Sequence, residues 1–316
     1  SETSRSNRTL VVRVLLSITS LIVPLDSEAD IAASDSGHTE IFEGAPIAVA
    51  VDADELSPLD TACVLLHQNM TVGSQRELLA GLRTFVQNYG TIVRVGSMFS
   101  GSDVVIKSLQ ALQKVYHNMY GVTLTFTIMW VCENDPSKIA WLDQQLSPNL
   151  IIGNAEELKN SYITDARTGV SHVLPPIDLL FAGFPCTDKS AVNNNSAQMR
   201  SCIQKGEGVA GHGFAMTVAA VKNLRPRMFL LENVARLDVE DRSESDFIIS
   251  CLNTLSYAVR RFEVDATAFG SAPSRVRLYF VGWLQRADLQ AELNSFHSGM
   301  VGAMAIGPMP LDKFIS

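Results

Sequence analysis

From Gly90 onward, short runs of β-branched and other apolar residues alternate with stretches of helical periodicity, a pattern that few folds accommodate. Seven strands are predicted, at Thr91–Val95, Leu124–Cys132, Leu150–Ile152, Ile177–Phe181, Met228–Leu231, Val259–Ala268 and Leu278–Trp283. Helices are predicted between several of them, at Val104–Tyr120, Pro136–Gln145, Phe214–Asn223 and Ser245–Leu255. The alternation predicts a doubly wound α/β fold with a mostly parallel, seven-stranded sheet. The last two strands leave no room for a helix between them, so we expect them to pair antiparallel.

The composition is that of a globular protein, and 316 residues suffice for one large domain or two small ones. A net charge of −8 argues mildly against a nucleic-acid partner, because phosphate contacts need local Lys and Arg. The five cysteines are widely spread and form no CxxC pair, which is typical of neither a disulfide framework nor a zinc site. We therefore expect a reducing compartment, no secretion and no metal.

The amino-terminal part is interpreted as an extension without clear structure over residues 1–55. Its apolar run Leu10–Leu25 is short for a membrane span and is interrupted by Arg13, which favours a buried strand or a poorly ordered end over a membrane anchor. One or two helices are predicted between Thr61 and Asn88. The main domain is predicted over residues 56–290, with its core motifs over 96–282 and a carboxyl-terminal tail over 291–316.

A cysteine follows the fourth predicted strand, in the run Gly183-Phe184-Pro185-Cys186. In doubly wound sheets, ligands bind at the carboxyl ends of the strands, so Cys186 lies where its thiolate could attack a substrate. The run Lys189–Gly213 after it is polar and is predicted to be a mobile loop that closes over the site.

Charged side chains are predicted at the same edge of the sheet. Glu232 follows the next strand, and its pKa would rise in an enclosed pocket, so that it could donate a proton to a ring. Arg275 and Arg277 precede the last strand and share one side of an extended segment.

A small-residue loop follows the first strand and contains Phe99, Ser100 and Gly101, which lets the backbone approach a ligand closely. The second strand ends in Glu133, whose carboxylate is placed to accept hydrogen bonds from ribose hydroxyls. Asn154 follows the third strand.

The order of these motifs resembles that of the cytosine-5 DNA methyltransferase family. The series is a Phe-Ser-Gly loop, a strand ending in Glu, Gly-Phe-Pro-Cys, Glu-Asn-Val and Arg-x-Arg, and it extends from Gly96 to Gly282. The resemblance implies the Rossmann-like fold of S-adenosylmethionine-dependent methyltransferases. It also implies that S-adenosylmethionine is the methyl donor and that the substrate is the 5-carbon of cytosine in nucleic acid.

The resemblance also implies roles for individual residues. Cys186 would be the nucleophile, while Glu232 would hold the ring nitrogen at position 3, Arg277 would hold the carbonyl at position 2, and Arg275 would support the site. The donor would lie against a set of residues from the first four strand ends: Phe99, Ser100, Gly101, Glu133, Asn134, Asn154, Gly183 and Pro185. Phe99 would contact the adenine.

The chain departs from the family pattern in places. Ser97 stands where the family usually has Asp, and Asp103 where it usually has Gly. After Trp283 we identify neither a target-recognition region nor the final conserved motif, so the sequence is interpreted as a fragment or a divergent relative.

Four functions remain compatible with the sequence. The first is methylation of cytosine in DNA, the second is methylation of cytosine in tRNA, and the third is a donor- or partner-binding domain that has lost turnover. A methyltransferase for small molecules or proteins ranks last. No membrane association is expected, and the resemblance implies a nuclear location in a eukaryote and a cytoplasmic one otherwise.

Overall fold

The computed structural model describes residues 72–101, 103–185, 202–238, 243–265 and 274–284, together with residues 63, 64, 67 and 267. The helices are α1 (Val72–Tyr89), α2 (Val104–Tyr120), α3 (Pro136–Leu146), α4 (Cys202–Lys205), α5 (Gly208–Leu224) and α6 (Ser243–Asn253). The strands are β1 (Ile92–Met98), β2 (Thr125–Cys132), β3 (Leu150–Ile152), β4 (Tyr162–Thr164), β5 (Ser171–Val173), β6 (Leu179–Ala182), β7 (Met228–Val234), β8 (Tyr257–Asp265) and β9 (Val276–Leu284). Two short 3₁₀ helices cover Ala155–Lys159 and Ala235–Asp238.

Seven of these strands form one sheet in the order β3-β2-β1-β6-β7-β9-β8. The pairs from β3 to β7 are parallel, whereas β9 runs antiparallel to both β7 and β8. The doubly wound, mostly parallel, seven-stranded prediction is therefore confirmed, as is the antiparallel pairing of the last two strands.

Helices cover both faces of the sheet. Apolar residues of α1, α2 and α3 pack with one set of strand side chains, and those of α5 and α6 pack with the other set. The central strand β6 shows why both faces must be covered, because Leu179 and Phe181 lie in the first cluster while Leu180 and Ala182 lie in the second. Continuous burial of this kind is typical of parallel strands.

Local sequence signals account for the ends of several helices. In α3 the Oδ1 of Asp135 accepts a hydrogen bond of 2.9 Å from the backbone N–H of Ser137, with Pro136 at the first helical position. The helix α2 ends at Gly121, which adopts the left-handed conformation with a φ of 64°.

The prediction of a loop over Lys189–Gly213 is wrong for its second half. Residues 202–205 and 208–213 are helical, because Cys202, Ile203 and Ala210 are buried in the core beside Phe214. Residues 189–201 lie outside the described residues, as do the predicted extension over 1–55 and the predicted tail over 291–316.

The small antiparallel sheet of β4 and β5 was not predicted. Each strand has three residues, and Tyr162 and Val173 pair in register with exposed side chains, so the alternation is too short to indicate a strand.

Within the described part of the chain, no helix is long and apolar enough to cross a membrane. The four cysteines that the structure describes (Cys63, Cys132, Cys202 and Cys251) all carry free thiols.

The contact between Gly282 and Phe229 gives a test of the sheet packing. A Cβ atom added at Gly282 would lie 2.0 Å from Cζ of Phe229, whose side chain is fully buried and cannot move aside. We expect Gly282→Ala to lower the free energy of unfolding by about 1–3 kcal/mol or more, measured by urea denaturation.

The matched control is Gly153→Ala. The added Cβ atom there would meet Cβ of Ala166 at 3.4 Å, an ordinary contact, so we expect a change within about 0.5 kcal/mol. Equal effects of the two substitutions would contradict the packing of β9 against β7.

Candidate active site at the carboxyl edge of the sheet

The sheet reverses its winding between β1 and β6. From β1 the chain adds β2 and β3 on one side, and it then returns to add β6 and β7 on the other side. The crevice at the carboxyl ends of two such strands is the usual ligand site of doubly wound sheets. The loop that contains Phe99 and Gly101 borders it from β1, and Gly183 borders it from β6.

Glu232 lies directly beside this crevice. Ala182 pairs in register with Leu231, and a Cβ atom added at Gly183 would lie 3.5 Å from Oε2 of Glu232. The prediction that the glutamate follows its strand needs correction, because β7 continues to Val234 and Glu232 pairs with Tyr279 of β9. This pairing keeps the glutamate backbone in the sheet, so its side chain has a defined direction.

Arg277 forms an ion pair with Glu232, with Nε donating to Oε1 at 2.9 Å. The pKa of Glu232 is nevertheless raised, because burial disfavours the charged carboxylate more than the charges of Arg277 and Arg275 and the hydrogen bond from Arg277 favour it. The site therefore holds a carboxyl group that gains a proton more readily than an ordinary glutamate does.

Arg275 reaches the site from the start of β9. Its backbone N–H donates a hydrogen bond of 3.0 Å to Oδ1 of Asp265, and its charge lowers the pKa of Glu232. The structure thus brings Glu232, Arg275, Arg277 and Gly183 together.

The Gly183–Pro185 loop is held from two sides. Nδ2 of Asn233 donates a hydrogen bond of 3.3 Å to the carbonyl of Phe184, and the Asn233 side chain is buried. On the other side a Cβ atom at Gly213 would lie 2.6 Å from Cδ of Pro185, so the glycine allows α5 to approach the loop.

The supporting residues of this loop were missed at the level of sequence. Asn233 was part of the Glu-Asn-Val motif but had no assigned role, although a polar residue within a buried strand is itself a signal. Gly213 was assigned to a loop. Cys186 follows Pro185 in the chain and lies outside the described residues.

The loop after β1 has an unusual backbone. Phe99 has a φ of 56°, a left-handed backbone conformation that residues other than glycine rarely adopt. Oγ of Ser100 donates to Oγ of Ser97 at 3.1 Å and approaches the Ser97 carbonyl at 3.3 Å. These contacts and the strained Phe99 define a turn that presents backbone groups to the crevice.

Glu133 holds that turn. Its Oε2 accepts a hydrogen bond of 2.8 Å from the N–H of Gly101, and its Oε1 accepts from the N–H groups of Asn134 and Asp135 at 2.9 and 3.1 Å. A carboxylate has about four lone-pair sites, so about one remains for a ribose hydroxyl. The glutamate consequently positions the loop as well as facing the ligand site.

Asn134 and Asn154, which are also predicted to bind the methyl donor, are exposed. Asn134 follows Glu133 at the end of β2. Asn154 caps the first 3₁₀ helix, since its Oδ1 accepts a hydrogen bond of 3.0 Å from the N–H of Glu156. Its oxygen keeps one lone pair for a further donor.

These residues fit a methyl donor that has a nucleoside end and an amino-acid end. Glu133 retains an acceptor for a hydroxyl group, and the buried carboxyl oxygen Oδ2 of Asp103 has no hydrogen-bond partner among the described residues. An oxygen of this kind requires a donor from a ligand or a water.

Two similar proteins are named as methyltransferases. The chain is 25% identical over 247 residues to the DNA (cytosine-5-)-methyltransferase DMT5 of Cryptococcus neoformans. The aligned region covers 77% of this chain and 10% of that protein. It is 36% identical over 121 residues to the type II methyltransferase M.HaeII of Haemophilus aegyptius, covering 37% of this chain and 35% of that protein. The chain thus spans about a tenth of the first relative and about a third of the second.

Among solved structures, the Dnmt2 methyltransferase of S. pombe aligns over 61% of this chain and 50% of its own, with a TM-score of 0.40 and 13% identity. The family model for C-5 cytosine-specific DNA methylases matches residues 93–302, about two thirds of the sequence. The chain therefore belongs to the C-5 cytosine-specific DNA methylase family.

Proposed function

We propose that this chain transfers a methyl group from S-adenosylmethionine to the 5-carbon of cytosine in DNA through a covalent adduct of Cys186. The observation that carries the proposal is the ion pair of Glu232 and Arg277 beside Gly183. It provides a carboxyl group and a guanidinium group next to the strand end from which the chain leads to Cys186.

The cytosine 5-carbon is a poor nucleophile until a thiolate adds at the 6-carbon. We propose that the thiolate of Cys186 forms this bond and that the electron pair moves into the ring, toward positions 2 and 3. A proton donated to the ring nitrogen by Glu232 and hydrogen bonds from Arg277 to the carbonyl would stabilise that charge. The 5-carbon then takes the methyl group, with the thioether of the donor as the leaving group, and gives up its proton to a water molecule. The electron pair of that C–H bond re-forms the 5,6 double bond and expels the thiolate, and the ring nitrogen returns its proton to Glu232.

The resting ion pair has a consequence for this step. When Arg277 turns to a cytosine carbonyl, Glu232 loses the hydrogen bond that favours its charged form. Its pKa would then rise further, so that the carboxyl group is protonated where the ring needs a donor. Binding of the base would thus itself prepare the acid.

S-adenosylmethionine supplies the methyl group when it is bound. Phe99 would pack against the adenine, and Glu133 would accept a hydrogen bond from the ribose, as the free lone pair allows. Asn134 and Asn154 would lie beside the adenine, and the Ser100–Gly101 backbone would face the donor. Gly183 and Pro185 would border it on the side of β6.

DNA is the favoured polymer, because the family and the relatives above are named for DNA or for type II methylation. Inside a duplex the target atom is covered by stacking, so the base must be flipped out, at a cost of a few kcal/mol. We propose a nuclear location if the chain is eukaryotic and a cytoplasmic one otherwise, since the substrate would be genomic DNA.

Covalent trapping tests the proposed reaction. With S-adenosylmethionine present, DNA that contains 5-fluorocytosine should form a stable adduct, because fluorine cannot leave as a proton does. We expect the adduct on denaturing gels with the unaltered chain and with Cys251→Ala, whose free thiol lies on α6. We expect none with Cys186→Ala.

The polymer that is trapped names the substrate. An adduct with 5-fluorocytosine tRNA and none with DNA would replace DNA by tRNA in the proposal. Donor binding without an adduct on either polymer would indicate a binding domain without turnover. An adduct that survives in Cys186→Ala would refute the assignment of the nucleophile.

The pKa of Glu232 tests the role of its partner. We expect Arg277→Gln to raise the pKa of Glu232, because the positive charge that lowers it is removed. Carbon-13 NMR titration of the glutamate carboxyl groups measures this, with Lys222→Gln on the exposed side of α5 as the control. An unchanged or lower pKa in Arg277→Gln would contradict the coupling.

A further inference from the structure

Asp103 occupies the turn between β1 and α2 in the left-handed conformation, with a φ of 43° and a ψ of 51°. Glycine adopts this conformation freely, and aspartate adopts it more often than most residues with a Cβ atom. The N–H of Asp103 donates a hydrogen bond of 2.7 Å to the carbonyl of Ser100, and its own carbonyl accepts one of 3.1 Å from Ile106. The backbone of the turn therefore fixes the residue at the start of the helix.

The side chain of Asp103 does not act as an aspartate at this position usually does. An aspartate at the helix N-cap normally accepts a hydrogen bond from an N–H group of the first turn, as Asp135 does at the start of α3. Asp103 forms no cap hydrogen bond of this geometry, although the N–H group of Ile106 lies close enough to its carboxyl group to lower the pKa. The start of α2 presents N–H groups of the kind that bind anionic groups.

The carboxyl group is buried in the turn instead. Asp103 is only 4% exposed, and its Oδ2 makes no hydrogen bond with any residue that the structure describes. Burial raises its pKa to about 7, whereas the hydroxyl groups of Ser97 and Ser100 and the N–H group of Ile106 lower it, and the charge of Glu133 raises it. A buried acceptor without a partner is costly, so this site favours a ligand that brings a positively charged hydrogen-bond donor.

A metal ion is a poor occupant of the site. The described residues contain no group of three or more His, Cys, Asp or Glu side chains placed to hold one. The nearest other carboxylate, Glu133, already accepts three backbone hydrogen bonds. An organic ammonium group needs fewer ligands and suits the site better.

The methyl donor of the proposed function ends in an amino acid, with an ammonium and a carboxylate on one carbon. The N–H groups at the start of α2 suit the carboxylate, and Oδ2 of Asp103, which has no hydrogen-bond partner among the described residues, suits the ammonium. Resting on that proposed function, we propose that Asp103 binds the α-ammonium group of S-adenosylmethionine and thereby selects ligands that carry the amino-acid end.

Two ligands that differ at this end test the proposal by isothermal titration calorimetry. S-adenosylhomocysteine carries the amino-acid end, and 5′-methylthioadenosine lacks it. We expect Asp103→Asn to weaken binding of S-adenosylhomocysteine about 10- to 100-fold, since a charged hydrogen bond is lost. Binding of 5′-methylthioadenosine should change by less than about twofold.

Two further variants separate binding from folding. Asp103→Gly removes the carboxyl group and also relieves the left-handed backbone, so its melting temperature should not fall while it loses the same selectivity. Asp135→Asn removes one negative charge at the neighbouring N-cap, where an amide can still accept the hydrogen bond from Ser137. It should leave both affinities within about twofold.

The outcomes distinguish this inference from the proposed function. Equal weakening of both ligands in Asp103→Asn would assign the residue a structural role and overturn the inference, as would unchanged binding of S-adenosylhomocysteine. If the unaltered chain binds neither ligand, the inference and the donor site fail together. If the selectivity is lost as expected but no nucleic-acid adduct forms, Asp103 keeps its role and only the proposed reaction fails.

Discussion

The parallel pairing of β1, β6 and β7 places the residues of the candidate site at one edge of the sheet. Ser97 pairs with Phe181 and Ala182 pairs with Leu231, so β1 and β6 end side by side while β7 continues to Val234. The loops after β1 and β6 leave in the same direction, which brings the turn after β1 and the Gly183–Pro185 loop next to Glu232 of β7. At the opposite edge, Arg94 of β1 donates hydrogen bonds of 2.9 Å to both carboxylate oxygens of Asp178 and holds the first two of these strands in register.

The buried carboxyl groups at this edge are stabilised in three different ways. Glu133 accepts hydrogen bonds from backbone N–H groups, Glu232 pairs with Arg277, and Asp103 lies near hydroxyl groups while its Oδ2 has no hydrogen-bond partner among the described residues. The pKa values of Glu232 and Asp103 are raised, because burial outweighs the groups that stabilise their charge. Buried groups with a raised pKa are the ones whose protonation can respond to a ligand.

Packing supports the site as much as charge does. The loop before Cys186 is fixed by Asn233 on one side and by the close approach of α5 on the other. Phe184 is buried and contacts the ring of Phe214 with the ring centroids 5.6 Å apart, so the apolar core continues up to the site. These contacts hold Gly183 to Pro185 in a defined position at the site.

The sequence by itself determined the order of strands and helices, the doubly wound class and the family, because apolar periodicity and short motifs are local properties. It also predicted that Glu232, Arg277 and Gly183 would lie at one edge, where parallel strands end and an antiparallel strand begins. It could not predict the hairpin of β4 and β5, whose strands are too short to show a period. The helical residues within 202–213 were likewise hidden, because their burial against Phe214 overrides a polar local composition.

Only the tertiary structure decided which partner each polar group takes. The sequence places an aspartate before each of two helices, and only the structure shows that Asp135 caps its helix whereas the side chain of Asp103 forms no cap hydrogen bond. The same is true of Asn233, since its contact with Phe184 joins residues that are 49 positions apart. Hydrogen-bond partners depend on distances between remote segments, and those distances exist only once the sheet has brought the segments together.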